Sequence, residues 1–204
     1  MGKAHLVFER FDLAQLVTNT VDAWRASGRF ADRVVVVDAR AAWVLADRTR
    51  MEQVIANLFD NAVKFTPSGT RIIVRVGRDG DDASFSVHDD GPGLPPELMA
   101  HVFDVFVQGE QGIGRAKGGI GVGLTLVRRL AELQGGTVSV TSAGEGEGAT
   151  FTVRLPAIDS RESTVETVAA ESPRANPRRV LLVEDNDDAR EMLRQVLEMS
   201  GHVA

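Results

Sequence analysis

Asp89-Asp90-Gly91-Pro92-Gly93 follows directly on a strand-like run, Ala83 to His88, and the reading of this carboxylate-and-glycine stretch decides the fold. A loop of this kind brings a side-chain acceptor and bare backbone onto one flat ligand, because glycines permit positive φ and close approach. Taken alone, Asp-Gly and Gly-Pro are ordinary turn chemistry. The stretch gains weight from its place between an Asn-bearing helix before it and a glycine run, Gly118 to Gly123, after it.

Upstream, Asp47 opens the strongest helical pattern of the chain. From Asp47 to Phe65 the apolar residues Met51, Val54, Ile55, Leu58, Phe59, Ala62 and Val63 recur at helical spacing and make one broad buried face. Asn57, Asn61 and Lys64 sit four and three apart and form a second stripe beside it. Such a stripe reads either as a solvated face or as two amides and an ammonium turned to a common ligand. Asn is a poor helix former, so two of them mid-helix ask for a reason. Thr66-Pro67-Ser68-Gly69 stops the helix, and Arg71 to Val76 with Ala83 to His88 reads as a hairpin turning at Asp79-Gly80.

Downstream, Pro95-Pro96-Glu97 starts a short helix, and Phe103 and Phe106 follow as aromatic anchors. Gln108 to Lys117 holds three glycines and Ile113 as its only large apolar residue, the composition of a mobile loop. It leads into Gly118-Gly119-Ile120-Gly121-Val122-Gly123 and then a helical pattern, Leu124 to Gln134, with Leu124, Val127, Leu130 and Ala131 inward. Glycines at a helix start leave backbone N–H groups free at the positive end of the dipole, which suits a polyphosphate. Gly135-Gly136 ends that helix, and Thr137 to Val140 with Ala149 to Leu155 alternates around Gly144 to Gly148 as a second hairpin.

Closer to the start, Asp12 reads as the N-cap of a packing helix with Leu13, Leu16, Val17, Val21 and Trp24 on one face, ending near Gly28. Val34 to Val37 and Trp43 to Ala46 read as strands joined by a tight connection. The order of elements predicts an α+β fold, a two-layer sandwich with a mostly antiparallel mixed sheet covered by helices on one face. Residues 157–179, rich in Ser, Glu, Thr, Ala and Arg, read as a linker. Val180 to Val183 then reads as an apolar strand closed by Glu184-Asp185, with Asp187 or Asp188 capping a helix that carries Met192, Leu193, Val196 and Leu197.

Composition limits the function classes. The 204 residues are 43% hydrophobic and 25% charged, right for a globular chain. A net charge of −6 recommends neither nucleic acid nor anionic lipid as partner, so phosphate binding has to be local. No cysteine is present, which excludes disulfides and thiol catalysis, and the four histidines, His5, His88, His101 and His202, lack metal-ligand spacing. No run approaches the roughly 18 apolar residues of a membrane span, so the chain reads as a cytoplasmic piece of a longer protein without membrane contact.

Together these stretches resemble the catalytic ATP-binding domain of sensor histidine kinases, within the superfamily shared with gyrase, Hsp90 and MutL ATPases. Asn57 to Thr66 matches the family's N box, Asp89 to Gly93 its first glycine box, Phe103 to Phe106 its F box, and Gly119 to Gly123 its second glycine box. The resemblance covers residues 8 to 156 and implies a domain over residues 1–156 with the Bergerat-type ATP fold. It implies ATP and Mg²⁺ as cofactors. Asp89 would accept from the adenine amino group, Asn61 hold Mg²⁺, and Lys64 and Arg115 reach the phosphates, with Gly121 and Gly123 offering backbone N–H groups. Asn57 and Lys64 become the candidate catalytic residues, and Gly91, Gly93, Gly119, Leu124 and Thr150 complete the nucleotide-binding set.

Where gyrase, Hsp90 and MutL place a water-activating glutamate, this chain has Asn57, which has no carboxylate to take a proton. The γ-phosphate is thereby kept for transfer, and the implied activity is that of a protein-histidine kinase. The family's acceptor histidine lies on a helical dimerisation domain, and His5-Leu6-Val7 is not that motif. Val180 to Asn186 resembles the first strand and acidic pair of a receiver domain, which makes residues 180–204 the start of a receiver in a hybrid kinase phosphorelay. The competing readings are a nucleotide-sensing interaction module without chemistry and an ATPase of the same superfamily.

Overall fold

A computed structural model describes residues 6–104 and 123–160 and, beyond them, 179–181, 183, 190, 193–195 and 197–198. The first strand, β1 (Phe8–Asp12), leads into α1 (Leu13–Ala26). Asp12 caps α1 by accepting the Ala14 N–H at 3.0 Å, and the same oxygen accepts the Ala42 N–H at 3.0 Å. β2 (Val34–Ala39) and β3 (Trp43–Asp47) follow, then α2 (Arg48–Phe65), β4 (Arg71–Asp79), β5 (Asp82–Asp89) and the short α3 (Pro96–Met99). α4 (Gly123–Glu132), β6 (Thr137–Thr141) and β7 (Ala149–Pro156) complete the domain.

Five strands form the main sheet in the order β2-β4-β5-β7-β6, with β2 parallel to β4 and every other pair antiparallel. The expected α+β sandwich with a mixed, mostly antiparallel sheet is present, and both expected hairpins, β4–β5 and β6–β7, are formed. The strands alternate: Ile72, Val74 and Val76, then Ala83, Phe85 and Val87, then Phe151, Val153 and Leu155 point to the helices and are buried. α1, α2 and α4 cover that face with Leu16, Val17, Val21, Val54, Ile55, Leu58, Val127 and Leu130. Phe59 lies at the centre, with ring centroids 5.3 Å from Trp24, 5.4 Å from Phe30 and 6.2 Å from Phe85.

One sequence expectation gains a topology and another changes. β2 and β3 are strands joined by a short link over residues 40–42, as expected, but they do not pair: β2 pairs with β4, whereas β3 pairs antiparallel with β1 in a separate two-stranded sheet. A parallel partner for β2 had to be supplied across α2, since a short link allows only an antiparallel pair. In α4 the inward residues are Leu126, Val127, Leu130 and Ala131, and Leu124 is only half-buried.

Buried polar side chains fasten the helices. Asp47 caps α2 by accepting the Arg50 N–H at 3.0 Å and also accepts the Val7 N–H at 3.0 Å. Its own N–H donates to Gln134 Oε1 at 2.7 Å, and Gln134, 5% exposed, donates to the Leu130 carbonyl at 2.8 Å. The end of α4 is thus tied to the start of α2. At the other end of α2, Arg33 donates from Nε and Nη2 to the Thr66 carbonyl at 3.0 and 2.9 Å, supplying a cation where the helix dipole is negative.

The strand expected at Val180–Val183 is not formed among the described residues: Val180, Leu181 and Val183 lie outside any ladder, and Leu181 and Val183 are 89% and 85% exposed. No described strand accepts their backbone groups. Residues 190, 193–195 and 197–198 are helical, with Arg194 and Glu198 paired at 2.6 Å. No helix among the described residues is long and apolar enough to cross a membrane.

Candidate functional site

The polar stripe of α2 is where the sequence-predicted residues meet. Asn57, Asn61 and Lys64 are all half-buried. Asn57 donates from Nδ2 to the Gln53 carbonyl at 2.8 Å, which turns its amide oxygen outward. That oxygen faces the first residue of α4, since a Cβ on Gly123 would lie 3.1 Å from it. Asn61 makes no side-chain hydrogen bond among the described residues, leaving a hard amide oxygen available one turn further on. Lys64 has its Nζ 4.9 Å from the Phe65 ring centroid, and burial holds its pKa below the usual lysine range.

The last turn of α2 meets the glycine loop. Asp89, the final residue of β5, is 4% exposed and accepts the Gly91 N–H at 3.0 Å. Burial pushes its carboxyl up to about 6, the Gly91 N–H and the neighbouring His88 opposing this shift and Asp90 adding to it. Gly91 has no room for a side chain: a Cβ would collide with the Asp89 carboxylate and lie 3.1 Å from the Phe65 carbonyl. Gly93 has φ +72° and abuts the Gly144 carbonyl, so the loop is wedged against the β6–β7 hairpin. Ser142 fastens the same contact, accepting the Leu94 N–H at 3.0 Å and donating to the Gly148 carbonyl at 2.7 Å.

One predicted residue falls elsewhere. Thr150 is paired in register with His88 on the face of the sheet away from the helices, its Oγ1 3.0 Å from His88 Nδ1, and it does not join the Asp89 group. Ala149 is the residue opposite Asp89, buried and directed to the helix layer. Its small side chain carries no polar atom that a sequence reading could single out, but the strict alternation of β7 gives its face once the register is known. Phe103 packs edge-on to Phe151, centroids 6.3 Å apart. Phe106, the loop Gln108 to Lys117 with Arg115, and Gly119 and Gly121 lie outside the described residues.

The arrangement so far is a buried carboxylate, a glycine-bearing loop packed closely against it and a helix start beside the Asn57 amide. Residues 46–159 match the family described as histidine kinase-, DNA gyrase B-, and HSP90-like ATPase. The chain belongs to that family. Its similarity to the circadian input-output histidine kinase CikA of Synechococcus elongatus is 36% identity, covering 98% of this chain and 27% of CikA. Among solved structures, a mycobacterial sensor histidine kinase, MprB, matches with TM-score 0.63 and 28% identity over 74% of this chain and 98% of that one. Full-length ShkA in complex with AMPPNP matches with TM-score 0.61 and 28% identity over 98% of this chain and 40% of ShkA. The chain therefore spans about a quarter of the length of its curated relative CikA. As a member of the family it carries the ATP-binding catalytic domain of the histidine-kinase type, as the sequence led one to expect, and the ATPase and sensing-module readings are not favoured.

Proposed function

We propose that this domain binds ATP between α2, the Asp89–Gly93 loop and the start of α4, and transfers its γ-phosphate to a histidine on a dimerisation domain. The observation that carries this reading is Asp89: a carboxylate 4% exposed, held by a single backbone N–H and flanked by a glycine with no room for a side chain. A buried acceptor of this kind selects adenine, whose exocyclic amine donates to it, over guanine, whose carbonyl would leave two acceptors face to face. Lys64 and the N–H groups at the start of α4 then take the phosphates, with Arg115, Gly119 and Gly121 as further contacts.

Asn61 fits a Mg²⁺ site, because its amide oxygen is a hard ligand with no competing hydrogen bond among the described residues. The metal would supply charge neutralisation between the phosphates. Asn57 orders the site without activating water: its amide has no basic carboxylate, so the γ-phosphorus is left for an incoming imidazole nitrogen, and the bond to the bridging oxygen breaks to leave ADP. The phosphoacceptor histidine and a receiver domain of which residues 180–204 are the N-terminal fragment, as in a hybrid kinase, complete the scheme. Linker 157–179 would join the two.

Mixing this chain with a histidine-bearing dimerisation domain and γ-labelled ATP tests the proposal. Acid-labile label on the dimerisation domain is expected. ATP consumed at the same rate with no label transferred would replace the kinase by an ATPase.

A further inference from the structure

Directly behind Asp89, on the open face of the sheet, a chain of polar contacts crosses three strands. Thr150 on β7 and His88 on β5 share a hydrogen bond at 3.0 Å between Oγ1 and Nδ1. His88 Nε2 lies 3.3 Å from Asp90 Oδ1. Asp90 Oδ2 accepts Nε of Arg71, at the start of β4, at 3.2 Å and the Arg71 backbone N–H at 3.3 Å. The Asp90 N–H in turn donates to the Arg71 carbonyl at 3.2 Å. Strand alternation puts residues 88 and 90 on this face, which is why residue 89 between them points into the helix layer.

No step of nucleotide binding uses these side chains. Their position is nevertheless where β5 ends: His88 and Asp89 are still laddered to β4 and β7, whereas Asp90, the next residue, lies beyond both ladders and donates its N–H to the Arg71 carbonyl. The Arg71–Asp90 pair is open to water on the Arg71 side, 62% exposed against 29% for Asp90, and contributes little by itself. His88 is 26% exposed and has both ring nitrogens engaged. A neutral ring with its proton on Nε2 donates to the Asp90 carboxylate and accepts the Thr150 hydroxyl at Nδ1, so every partner in the chain is satisfied.

We propose that His88 is a positioning residue for the adenine site: by linking Thr150 to Asp90 it holds, from behind, the residue at which the chain leaves the ladder and so keeps the adjoining Asp89 carboxylate aimed at the nucleotide amine. This rests on the reading of Asp89 given above. His88→Ala removes the side-chain link from β7 to Asp90, leaving the Asp90 side chain to Arg71 alone and loosening the start of the loop that follows Asp89. His88→Gln keeps an amide N–H near the place of Nε2 and restores the link to Asp90.

The test is calorimetric titration of the whole chain with ATP and with purine riboside triphosphate, which has hydrogen in place of the 6-amino group. The wild type is expected to prefer ATP. H88A should lose about tenfold in ATP affinity, the scale of one weakened hydrogen bond, with the affinity for purine riboside triphosphate unchanged. H88Q should regain most of the preference, and Thr150→Val, which removes the ring's other partner, should lose part of it. Equal weakening of both nucleotides in H88A would mean a purely structural role and overturn the proposal. If H88A does not fold, undiminished preference in Thr150→Val overturns it in the same way. A wild type that binds both nucleotides alike overturns the Asp89 reading and the positioning role with it, whereas a discriminating wild type beside an equally discriminating H88A overturns the positioning role alone.

Discussion

The Asp89 carboxylate accepts the Gly91 N–H at 3.0 Å, and the space a Gly91 side chain would occupy is the space that carboxylate already fills. The two residues are therefore one unit. Gly91→Ala has to displace the carboxylate, and ATP affinity should fall by about 2 kcal/mol, the cost of misplacing a charge-assisted bond. Gly93→Ala acts differently, because φ is +72° and the new methyl meets backbone at Gly144. Its main effect should be a loss of about 1–3 kcal/mol in folding stability. Calorimetry and urea denaturation on both variants check the split.

The pH dependence of binding follows from the same carboxylate. With its pKa pushed from 3.8 to about 6 by burial, Asp89 stabilises the nucleotide-free fold most below 3.8 and loses that contribution as pH rises through about 6. Amine binding needs the ionised form, so the preference for ATP over purine riboside triphosphate should be full at pH 7.5 and shrink toward about pH 5. The ratio removes the titration of the phosphates, which both nucleotides share. A ratio constant over that range would rule out an ionised Asp89 as the amine acceptor.

Gln134→Leu keeps the volume of a residue that is 5% exposed but leaves the Asp47 N–H without the partner it now has at 2.7 Å. A stability loss of about 1–3 kcal/mol is expected. Thermal denaturation without nucleotide measures it.

Asn61→Ala should reduce the factor by which Mg²⁺ tightens ATP binding while leaving metal-free binding little changed. Titrations in excess EDTA and in excess Mg²⁺ give that factor. An unaltered factor would remove Asn61 from the metal site.

How much of this was legible in the sequence depended on the range of the interaction. α2 was legible because seven apolar residues at helical spacing and a capping Asp47 are local signals, and the β4–β5 and β6–β7 hairpins carry their turns between them. β1 was not, because Phe-Glu-Arg-Phe-Asp has its apolar residues three apart and becomes a strand only by pairing with β3, which starts more than 30 residues on. The partner of β2 was hidden for the same reason. In the site, Asp89, Gly91 and Asn61 announce themselves by residue type, whereas the face of Thr150 depends on register: it lies opposite His88, and the neighbour Ala149 lies opposite Asp89.

Asp89→Asn tests the central claim most directly. The substitution keeps shape and burial but removes the charge and can turn an N–H toward the adenine amine, so calorimetry should show ATP affinity reduced by about 2–4 kcal/mol in a protein whose thermal transition remains cooperative. ATP binding at near wild-type affinity by folded Asp89→Asn would contradict the assignment of this site.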